Sequence, residues 1–372
     1  MKIEPFLTEQ FFTQYEFSAP HLLASSDCET MSIEELLQLA ESTLDELGSV
    51  TLGYTESQGD PQLRSQVSGM YTDVDTEDVV ILTSPVEGIY LAMQTLLEPD
   101  DEVVALRPAY DALNNVARHL CGKVMPWNLV ARADQWELDF DQLKSIIGPQ
   151  TRMIVVNFPH NPTGFVPSTA EFERLIKLAR ENNVWLFCDE IYRGLEFDTP
   201  IPSAADRYEK SIVLGGLSKT YGLPGLRAGW LVIRNPELRD ELINWKHYTT
   251  ICPAAPTEFL ARKALLVRKQ LAERSKTIIQ GNLEFCDEFF ARFPDHFTWR
   301  RPRAGSVAFV ELNLAEIGFD SATTYCHHLA QNHGIVLLPG KCLGFDDSFV
   351  RFGLGRVSFK TAIDAYAAVI SK

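Results

Sequence analysis

The feature that most constrains the fold is a series of short apolar runs that alternate with helical patterns between residues 78 and 233. These runs are rich in β-branched residues and do not alternate with polar positions, which is typical of strands buried on both faces of a mostly parallel sheet. The sequence therefore predicts a doubly wound α/β fold. The runs are DVVILTS (78–84), DEVVALRP (101–108), TRMIVVNF (151–158), VWLFCDE (184–190), SIVLGGL (211–217) and AGWLVI (228–233).

Helix signals separate these runs and continue beyond them. Asp60 as N-cap with Pro61 at the first helical position predicts one helix, and a capping box from Ser168 to Glu171 predicts another. A long helical pattern from about Pro256 to Phe293 follows. Beyond it, FTWRRP, SVAFVEL and GIVLLPG read as strands and ATTYCHHLAQNHG as a helix, which together indicate a second, smaller α+β domain.

Both ends of the chain are assigned to that small domain. The helical pattern SIEELLQLAESTLDELG (32–48) is expected to pack with the C-terminal elements. We therefore predict a small domain from residues 1–46 and 285–372 and a large domain from residues 47–284.

Charge and composition exclude several classes of protein. The 372 residues carry a formal net charge of −16, and Lys and Arg form no concentrated stripe, so nucleic acid is not an expected partner. The sequence has no apolar run of 18 residues and no export signal at its N-terminus, so we expect a cytoplasmic protein without a membrane partner. Its seven cysteines are scattered without a C-x-x-C pair, which predicts buried apolar fillers, no disulfide framework and no metal site.

A lysine stands directly after one of the apolar runs, in SIVLGGLSKTYGLPGLRAGW (211–230). The stretch is not a phosphate-binding P-loop, because that motif needs glycine where Ser218 stands. A surface role for Lys219 fits poorly with the buried strand before it and the turn set by the glycines and proline after it. A Schiff-base lysine fits better, since a partly desolvated amine loses its proton readily. Arg227 would hold an anion nearby.

Six motifs in this order resemble those of the fold-type I, pyridoxal-phosphate-dependent aminotransferases of the class I/II family. The resemblance covers nearly the whole chain, and six ordered motifs are far more specific than one. It implies the α/β fold of that family and pyridoxal 5′-phosphate as cofactor. The motifs are LGYTESQGDPQLR (52–64), LRPAY (106–110), NFPHNPTG (157–164), CDEIY (188–192), SKTYGLPGLRAGW (218–230) and VRFGLGR (350–356).

The resemblance implies a role for each of several residues around the cofactor ring. Lys219 would bind the cofactor covalently and later move the substrate's α-proton, and Asp189 would pair with the pyridinium nitrogen. Asn161 and Tyr192 would bind the ring's phenolic oxygen, and Tyr110 would stack on the ring. Taken alone, each residue other than Lys219 also has a structural interpretation: a helix cap or ion pair for the aspartate, a turn asparagine, and core packing for the tyrosines.

The expected phosphate site departs from the family pattern. By resemblance, Arg227, Ser218 and a Tyr54 from the neighbouring subunit would bind the phosphate, beside the N-terminus of the helix beginning near TSPVEGIYLAM. However, Ser84 stands where the family carries glycine, and Pro85 has no N–H to donate. Gly216 likewise stands where many relatives have a hydroxyl. The phosphate would then depend more on Arg227, Ser218, Ser84 and the Val86 amide.

Arg351 matches the family arginine that grips the substrate's α-carboxylate. Arg356, five residues further on, is interpreted as a surface residue. The predicted helix carries His327, His328 and His333, which we interpret as a solvated polar face rather than a metal site.

These implied roles amount to a homodimeric aminotransferase with shared active sites, which moves an amino group between an L-amino acid and a 2-oxo acid. No second arginine is identifiable as a reader of the substrate side chain. One alternative is a lyase or cyclase, because YTTICPAAPTEFLA (248–261) and RPRAGS (301–306) resemble the subfamily that includes capreomycidine synthase. The other is a non-catalytic sensor that binds the cofactor, which the acidic charge and the early first motif disfavour.

Overall fold

The computed structural model describes residues 2–371. Their strands are β1 (His21–Leu22), β2 (Val79–Leu82), β3 (Glu102–Arg107), β4 (Lys123–Ala131), β5 (Trp136–Leu138), β6 (Thr151–Asn157), β7 (Trp185–Asp189), β8 (Ser211–Gly216), β9 (Gly229–Ile233), β10 (Phe297–Thr298), β11 (Val307–Leu312), β12 (Ile335–Val336), β13 (Leu338–Pro339) and β14 (Phe349–Gly353).

The α-helices connect and cover these strands. They are α1 (Leu7–Tyr15), α2 (Ile33–Leu39), α3 (Leu44–Gly48), α4 (Pro61–Ser68), α5 (Pro85–Leu96), α6 (Asp111–Cys121), α7 (Phe140–Ile146), α8 (Thr169–Glu181), α9 (Pro236–Lys246), α10 (Ala255–Leu266), α11 (Arg268–Arg292), α12 (Leu314–Ile317), α13 (Ala322–His333) and α14 (Phe359–Ile370).

The central sheet has eight strands in the order β2-β9-β8-β7-β6-β3-β4-β5. The five strands from β8 to β4 are mutually parallel, whereas β9 runs antiparallel to both of its neighbours and β5 runs antiparallel to β4. This mostly parallel α/β sheet confirms the predicted fold class. All six apolar runs lie in it.

Burial on both faces explains why those runs do not alternate with polar residues. Within β6, Met153 and Val155 pack into one hydrophobic cluster, while Ile154 and Val156 pack into the cluster on the other face. Each such side chain contributes about 1.5–3 kcal/mol when it is removed from water. A polar residue at any of these positions would lose that contribution and leave a buried polar group unpaired.

The predicted helix starts at residues 60–61 and 168–171 are confirmed. The Asp60 side chain accepts a hydrogen bond from the backbone N–H of Leu63, with Pro61 as the first residue of α4. Ser168 and Glu171 form the reciprocal capping box at the start of α8. Both devices satisfy N–H groups that the first helical turn leaves without partners.

A second sheet lies in the C-terminal part of the chain. It is antiparallel, with the order β10-β11-β14-β13, and Phe290 of α11 and Tyr366 of α14 both pack against Phe352 of β14. The N-terminal strand β1 pairs in parallel with β12, so the start of the chain is joined to this region. The domain boundaries at 46/47 and 284/285 stay a prediction, and residues 284 and 285 fall within the continuous helix α11.

Two predicted helices are each divided in two. The pattern at residues 32–48 forms α2 and α3, because Glu41 adopts a left-handed φ of 51° and Thr43 caps a new helix through the N–H of Glu46. Both helices contact α10. The pattern at 256–293 forms α10 and α11, which are separated at Val267.

Residues 2–371 also bear on the expectations about membranes, metals and cysteines. No helix in that range is both long and apolar enough to cross a membrane, and no three potential metal-binding side chains cluster there. All seven cysteines are free thiols, and six of them are buried, as predicted. Cys252 is the partly exposed one.

Candidate active site

The carboxyl edge of the parallel strands carries the side chains singled out from the sequence. Asn157 ends β6 and Asp189 ends β7, where the two residues are paired in register. Lys219 follows β8, which is the next strand in the sheet. Because β9 runs in the opposite direction, Arg227, which precedes it, is delivered to the same edge. Ligands of open α/β sheets bind at this edge.

A cavity of about 410 Å³ opens there, between the central sheet and the C-terminal sheet. The structure brings eleven of the twelve predicted site residues into its lining, whereas the remaining one, Tyr54, is 93% exposed on the outer surface. The eleven are Ser84, Pro85, Val86, Tyr110, Asn161, Asp189, Tyr192, Ser218, Lys219, Arg227 and Arg351.

Lys219 is a buried amine. Its Nζ donates a 2.8 Å hydrogen bond to the Ser26 hydroxyl, from the segment that follows β1. Burial lowers the pKa of this amine, and the nearby Asp27 carboxylate opposes that shift. The amine is therefore easier to deprotonate than a surface lysine.

Asp189 is a buried carboxylate without a salt-bridge partner among residues 2–371. Its Oδ1 accepts a 3.0 Å hydrogen bond from the backbone N–H of Ile191. Burial raises its pKa to about 7. The neighbouring Asn157 amide donates to the Asp189 carbonyl at 2.8 Å and accepts from the Asn161 N–H at 2.7 Å, so it links two of the predicted site residues.

Arg351 enters the cavity from β14 and is only 1% exposed. Its Nη1 donates to Asn161 Oδ1 at 3.1 Å, and its Nε and Nη2 donate to the Ala24 carbonyl at 3.2 and 2.8 Å. The guanidinium carbon lies 5.7 Å from the centre of the Phe12 ring. Since a guanidinium has five N–H donors, two remain for a ligand. Tyr192, also buried, lies beside this group, and burial raises the pKa of its phenol.

A cluster of donors occupies the end of the cavity at the start of α5. Ser84 is the N-cap residue of α5, and its hydroxyl accepts a 2.7 Å hydrogen bond from Arg227 Nη2. Ser218 is 6% exposed, and its hydroxyl has no hydrogen-bond partner among the described residues. A guanidinium, two hydroxyls and a helix N-terminus together favour an anion.

Pro85 packs closely against two glycines at this end of the cavity. A methyl group at Gly216 would lie 2.8 Å from Pro85 Cγ and 2.8 Å from Ile191 Cδ1, and one at Gly229 would lie 2.9 Å from Pro85 Cγ. The proline ring thus occupies the space that larger residues would need. The departures at Pro85 and Gly216, two of the three in this region, are therefore linked by packing.

The sequence analysis missed an N-terminal contribution to the cavity. Helix α1 and the residue after it place Glu9, Phe12 and Glu16 in the lining, and the loop after β1 adds Ser25 and Asp27. The Tyr110 hydroxyl, at the start of α6, donates a 3.1 Å hydrogen bond to Glu9. The spacing i, i+3, i+7 was a usable signal for one helix face, but nothing in the sequence showed what that face covers.

Two interpretations of nearby residues were wrong. Arg356, expected on the surface, forms a partly buried ion pair with Asp27, at 2.5 Å between Nη2 and Oδ2. The ring of His327, expected to be solvated, is half-buried and hydrogen-bonds the Tyr15 hydroxyl at 2.7 Å. The Arg356 pair forms because the loop after β1 lies against the C-terminal part of the chain, and the His327 contact forms because α1 does. The local sequence patterns reveal neither contact.

Comparisons with known proteins agree with this geometry. A family model described as aminotransferase class I and II matches residues 21–365. The chain is 29% identical over 342 residues to capreomycidine synthase from Streptomyces vinaceus, which covers 91% of this chain and 86% of that protein. It is 30% identical to an aspartate aminotransferase from Sulfolobus acidocaldarius, over 80% of this chain and 77% of that protein.

One solved structure is similar over the whole chain. It is a PLP-dependent aminotransferase from Streptococcus suis, with a TM-score of 0.92 and 28% identity, which covers 100% of this chain and 98% of that one.

Proposed function

Because this chain belongs to the aminotransferase class I and II family, we propose that it moves an amino group between an L-amino acid and a 2-oxo acid with pyridoxal 5′-phosphate. The observation that carries the proposal is one cavity that holds a buried amine, a buried unpaired carboxylate and an anion-binding helix terminus. These are the complementary groups for an aldehyde, a pyridinium nitrogen and a phosphate. When bound, the cofactor withdraws electrons from the substrate's α-carbon.

Lys219 is proposed to hold the cofactor and then to move the proton at the substrate's α-carbon. Because burial lowers the pKa of its amine, a larger fraction of that amine is neutral near pH 7 and able to accept a proton. The Ser26 hydroxyl, 2.8 Å from Nζ, orients the amine toward the cavity.

Asp189 is proposed to keep the cofactor's ring nitrogen protonated. In the protein alone this carboxylate is buried without a salt bridge, and the charge of Lys219 offsets only part of the cost of burial. A pyridinium N–H would supply the missing charge. Asn161 and Tyr192 are proposed as the partners of the ring's phenolic oxygen, and Tyr110 as the residue that stacks on the ring.

Arg227, Ser84 and Ser218 are proposed to bind the phosphate, together with the Val86 amide at the start of α5. The unpaired Ser218 hydroxyl fits this role, because a buried donor without a partner costs about 1–3 kcal/mol until a ligand satisfies it. Pro85 donates nothing, so the side chains must replace a backbone contact.

Arg351 is proposed to bind the α-carboxylate through its two remaining N–H groups. Asn161 and the Ala24 carbonyl hold the other three and fix the plane of the guanidinium. A planar two-pronged contact of this kind is one that lysine cannot reproduce.

We further propose that the protein works as a homodimer with shared active sites. Large apolar side chains are exposed beside the cavity, which is typical of an interface. Hydrogen bonds from Thr55 to the Pro253 carbonyl, and from Thr249 and Thr250 to Glu87, join the segments that carry them into one surface. These side chains, which we call the apolar surface, are Leu52, Tyr54, Val86, Tyr90, Tyr248 and Ile251.

Tyr54 is exposed, does not line its own cavity and belongs to this surface, so its proposed phosphate contact is to the cavity of the second copy. The expected setting of the enzyme is the cytoplasm. No nucleic acid or membrane partner is proposed.

The test of the function follows the cofactor itself. Holoprotein mixed with single amino acids should convert the cofactor to its pyridoxamine form and release a 2-oxo acid, and a second 2-oxo acid should reverse the conversion. Borohydride should fix the cofactor to Lys219, and Lys219→Ala should lose both properties. Lys246 is a buried lysine outside the cavity lining, so Lys246→Met is the control. Cofactor fixed elsewhere would contradict the assignment.

A second candidate function is a lyase or cyclase reaction on the same site. The 29% identity to capreomycidine synthase over most of both chains favours it. Such a reaction would consume the amino acid without accumulating the pyridoxamine form or a matching 2-oxo acid, so the same assay separates the two.

A further inference from the structure

The N-terminal segment places three carboxylates, Glu9, Glu16 and Asp27, in the cavity lining. Glu9, Phe12 and Glu16 come from one face of α1 and its C-terminal end, and Asp27 comes from the loop after β1. The proposed function uses none of these three carboxylates. They lie close enough to one another for Asp27 and Glu9 both to raise the pKa of Glu16, after the larger effect of its own burial.

A count of charges shows that the carboxylates exceed the cations available to them. The cations among the described lining residues are Lys219, Arg227 and Arg351. Under the proposed function these face the cofactor's aldehyde and phosphate and the substrate's α-carboxylate. No cation in the lining remains for a substrate side chain. An acidic side chain would therefore meet only like charge.

Glu16 is the carboxylate left without a partner. Asp27 is paired with Arg356, and Glu9 accepts the hydrogen bond from Tyr110. Glu16 is half-buried, and among residues 2–371 its side chain has neither a salt bridge nor a hydrogen bond. A partly buried carboxylate in this state is stabilised by any cation that enters the cavity.

A second, independent observation concerns a buried hydroxyl of the same cavity. Ser25 is a lining residue only 4% exposed, and its buried hydroxyl has no hydrogen-bond partner among the described residues. A ligand group with several N–H donors would satisfy both this oxygen and a carboxylate, whereas an apolar side chain would leave both unpaired.

We propose that Glu16, with Glu9 and Ser25, forms a subsite for a cationic substrate side chain, so that the enzyme acts on L-amino acids ending in an ammonium or guanidinium group. The inference rests on the proposed function, because it takes the α-carboxylate to be at Arg351. From there the substrate's side chain extends under Phe12, whose ring lies over that arginine.

The experiment compares isosteric pairs that differ in charge: L-ornithine with L-norleucine, and L-arginine with L-citrulline. Holoenzyme is mixed rapidly with each, and the cofactor absorbance gives an apparent dissociation constant and a rate of conversion. The cationic member should be favoured in kcat/KM by about tenfold or more, the range of one charge-assisted hydrogen bond. α-Methylornithine and α-methylnorleucine, which have no α-proton, measure binding without turnover and should show the same preference.

Glu16→Gln keeps the size of the side chain and removes its charge. It should reduce the preference in kcat/KM for ornithine over norleucine to about twofold or less, because the charge that distinguishes the two substrates is gone. Glu4→Gln is the matched control, since Glu4 is an exposed glutamate of the same N-terminal segment outside the cavity lining. If Glu16→Gln does not fold, Glu9→Gln and a rise in ionic strength applied to the parent should each reduce the preference.

The outcomes separate this proposal from the function on which it rests. Equal use of charged and neutral isosteres, with the cofactor still converted, would overturn the cationic subsite alone. A preference that survives Glu16→Gln would overturn the assignment to Glu16. If no amino acid binds or converts the cofactor, the proposed function fails and the subsite proposal with it.

Discussion

Single residues at the site are understood only with their neighbours. Pro85 and Gly216 look like two unrelated departures from the family pattern, yet the proline ring fills the space above the glycine. Asp189 similarly has an unfavourable environment in the protein alone and a favourable one with a cation at its side. Both cases make predictions about stability as well as activity.

Pro85 and Gly216 are expected to behave as a coupled pair. Gly216→Ala should destabilise the protein by about 1–3 kcal/mol, because the new methyl group would overlap the proline ring. Pro85→Ala added to it should recover part of that loss, as contacting residues do in double-mutant cycles. Denaturant unfolding of the holoprotein measures both. Gly148→Ala, where a methyl group meets nothing within 4 Å, is the control. Strictly additive effects would contradict the coupling.

Asp189→Asn is expected to stabilise the cofactor-free protein at pH 8 while abolishing transamination. Burial raises the folded-state pKa of Asp189 from 3.8 to about 7, so between these values the folded protein binds more protons than the unfolded chain. Stability from this group is therefore present at low pH and is lost as the pH rises to 7. Asp189→Asn does not undergo this loss, so at pH 8 its free energy of unfolding should exceed that of the parent by on the order of 2 kcal/mol or more. Melting curves of both apoproteins between pH 5 and 8 should diverge with rising pH, and parallel curves would contradict the burial argument.

At the scale of elements, the sequence predicts the central strands that are buried on both faces, but it does not predict a strand whose residues are mostly half-buried. Strands β6 to β8 are buried on both faces and were found from their apolar runs. Strand β4 was missed because its residues are mostly half-buried and include Lys123, Pro126 and Asn128. The division after Leu266 lacks a glycine or proline, so no local signal marked it.

Some residues of the candidate site were predictable from the sequence, and others were not. Residues at the carboxyl ends of strands were predictable, because motif order and sheet direction place them together. The contribution of α1 was not, because only the tertiary fold brings residues 7–16 over the cavity. The break before α3 did carry a missed signal, a Thr43 cap followed by Glu46.

Helix α1 is expected to be held over the substrate by Asp111, the first residue of α6. Its carboxylate accepts a 2.9 Å hydrogen bond from the Thr8 N–H. Asp111→Ala should raise KM for the amino acid about fivefold, the equivalent of one hydrogen bond, and leave the cofactor spectrum unchanged. Asp111→Asn keeps an acceptor oxygen and should retain most of the affinity. Asp141→Ala, in the first turn of α7, is the control. An unchanged KM in Asp111→Ala would contradict the anchoring role.

At the scale of the whole molecule, the cavity of one chain is incomplete by one proposed residue. Tyr54 is 93% exposed and continuous with the apolar surface, so a second copy would both cover that surface and receive the tyrosine.

Mixed dimers should test the shared site. A Lys219→Ala chain and a Tyr54→Ala chain, each strongly impaired alone, should form one competent site per mixed dimer when their subunits exchange. At equal amounts about half of the dimers are mixed, and each mixed dimer has one of its two sites intact. The mixture should therefore approach one quarter of the parent activity. A mixture of Lys219→Ala with Asp189→Asn is the control. Lys219 and Asp189 both line the cavity of their own chain, so each cavity of a mixed dimer lacks one of them and no complete site forms. Activity that does not return in the first mixture, with exchange verified by mass, would contradict a shared site.

The distribution of thiols gives the molecule a built-in chemical label. Burial raises the pKa of Cys28 to about 11 and keeps five further cysteines out of reach, while Cys252 is partly exposed next to Ile251 of the apolar surface. A maleimide dye should therefore react first at this position without any engineering. If two copies associate through the apolar surface, Cys252 is covered, so the rate of dye attachment should fall as the protein concentration rises. The dye signal would then report self-association through a native side chain.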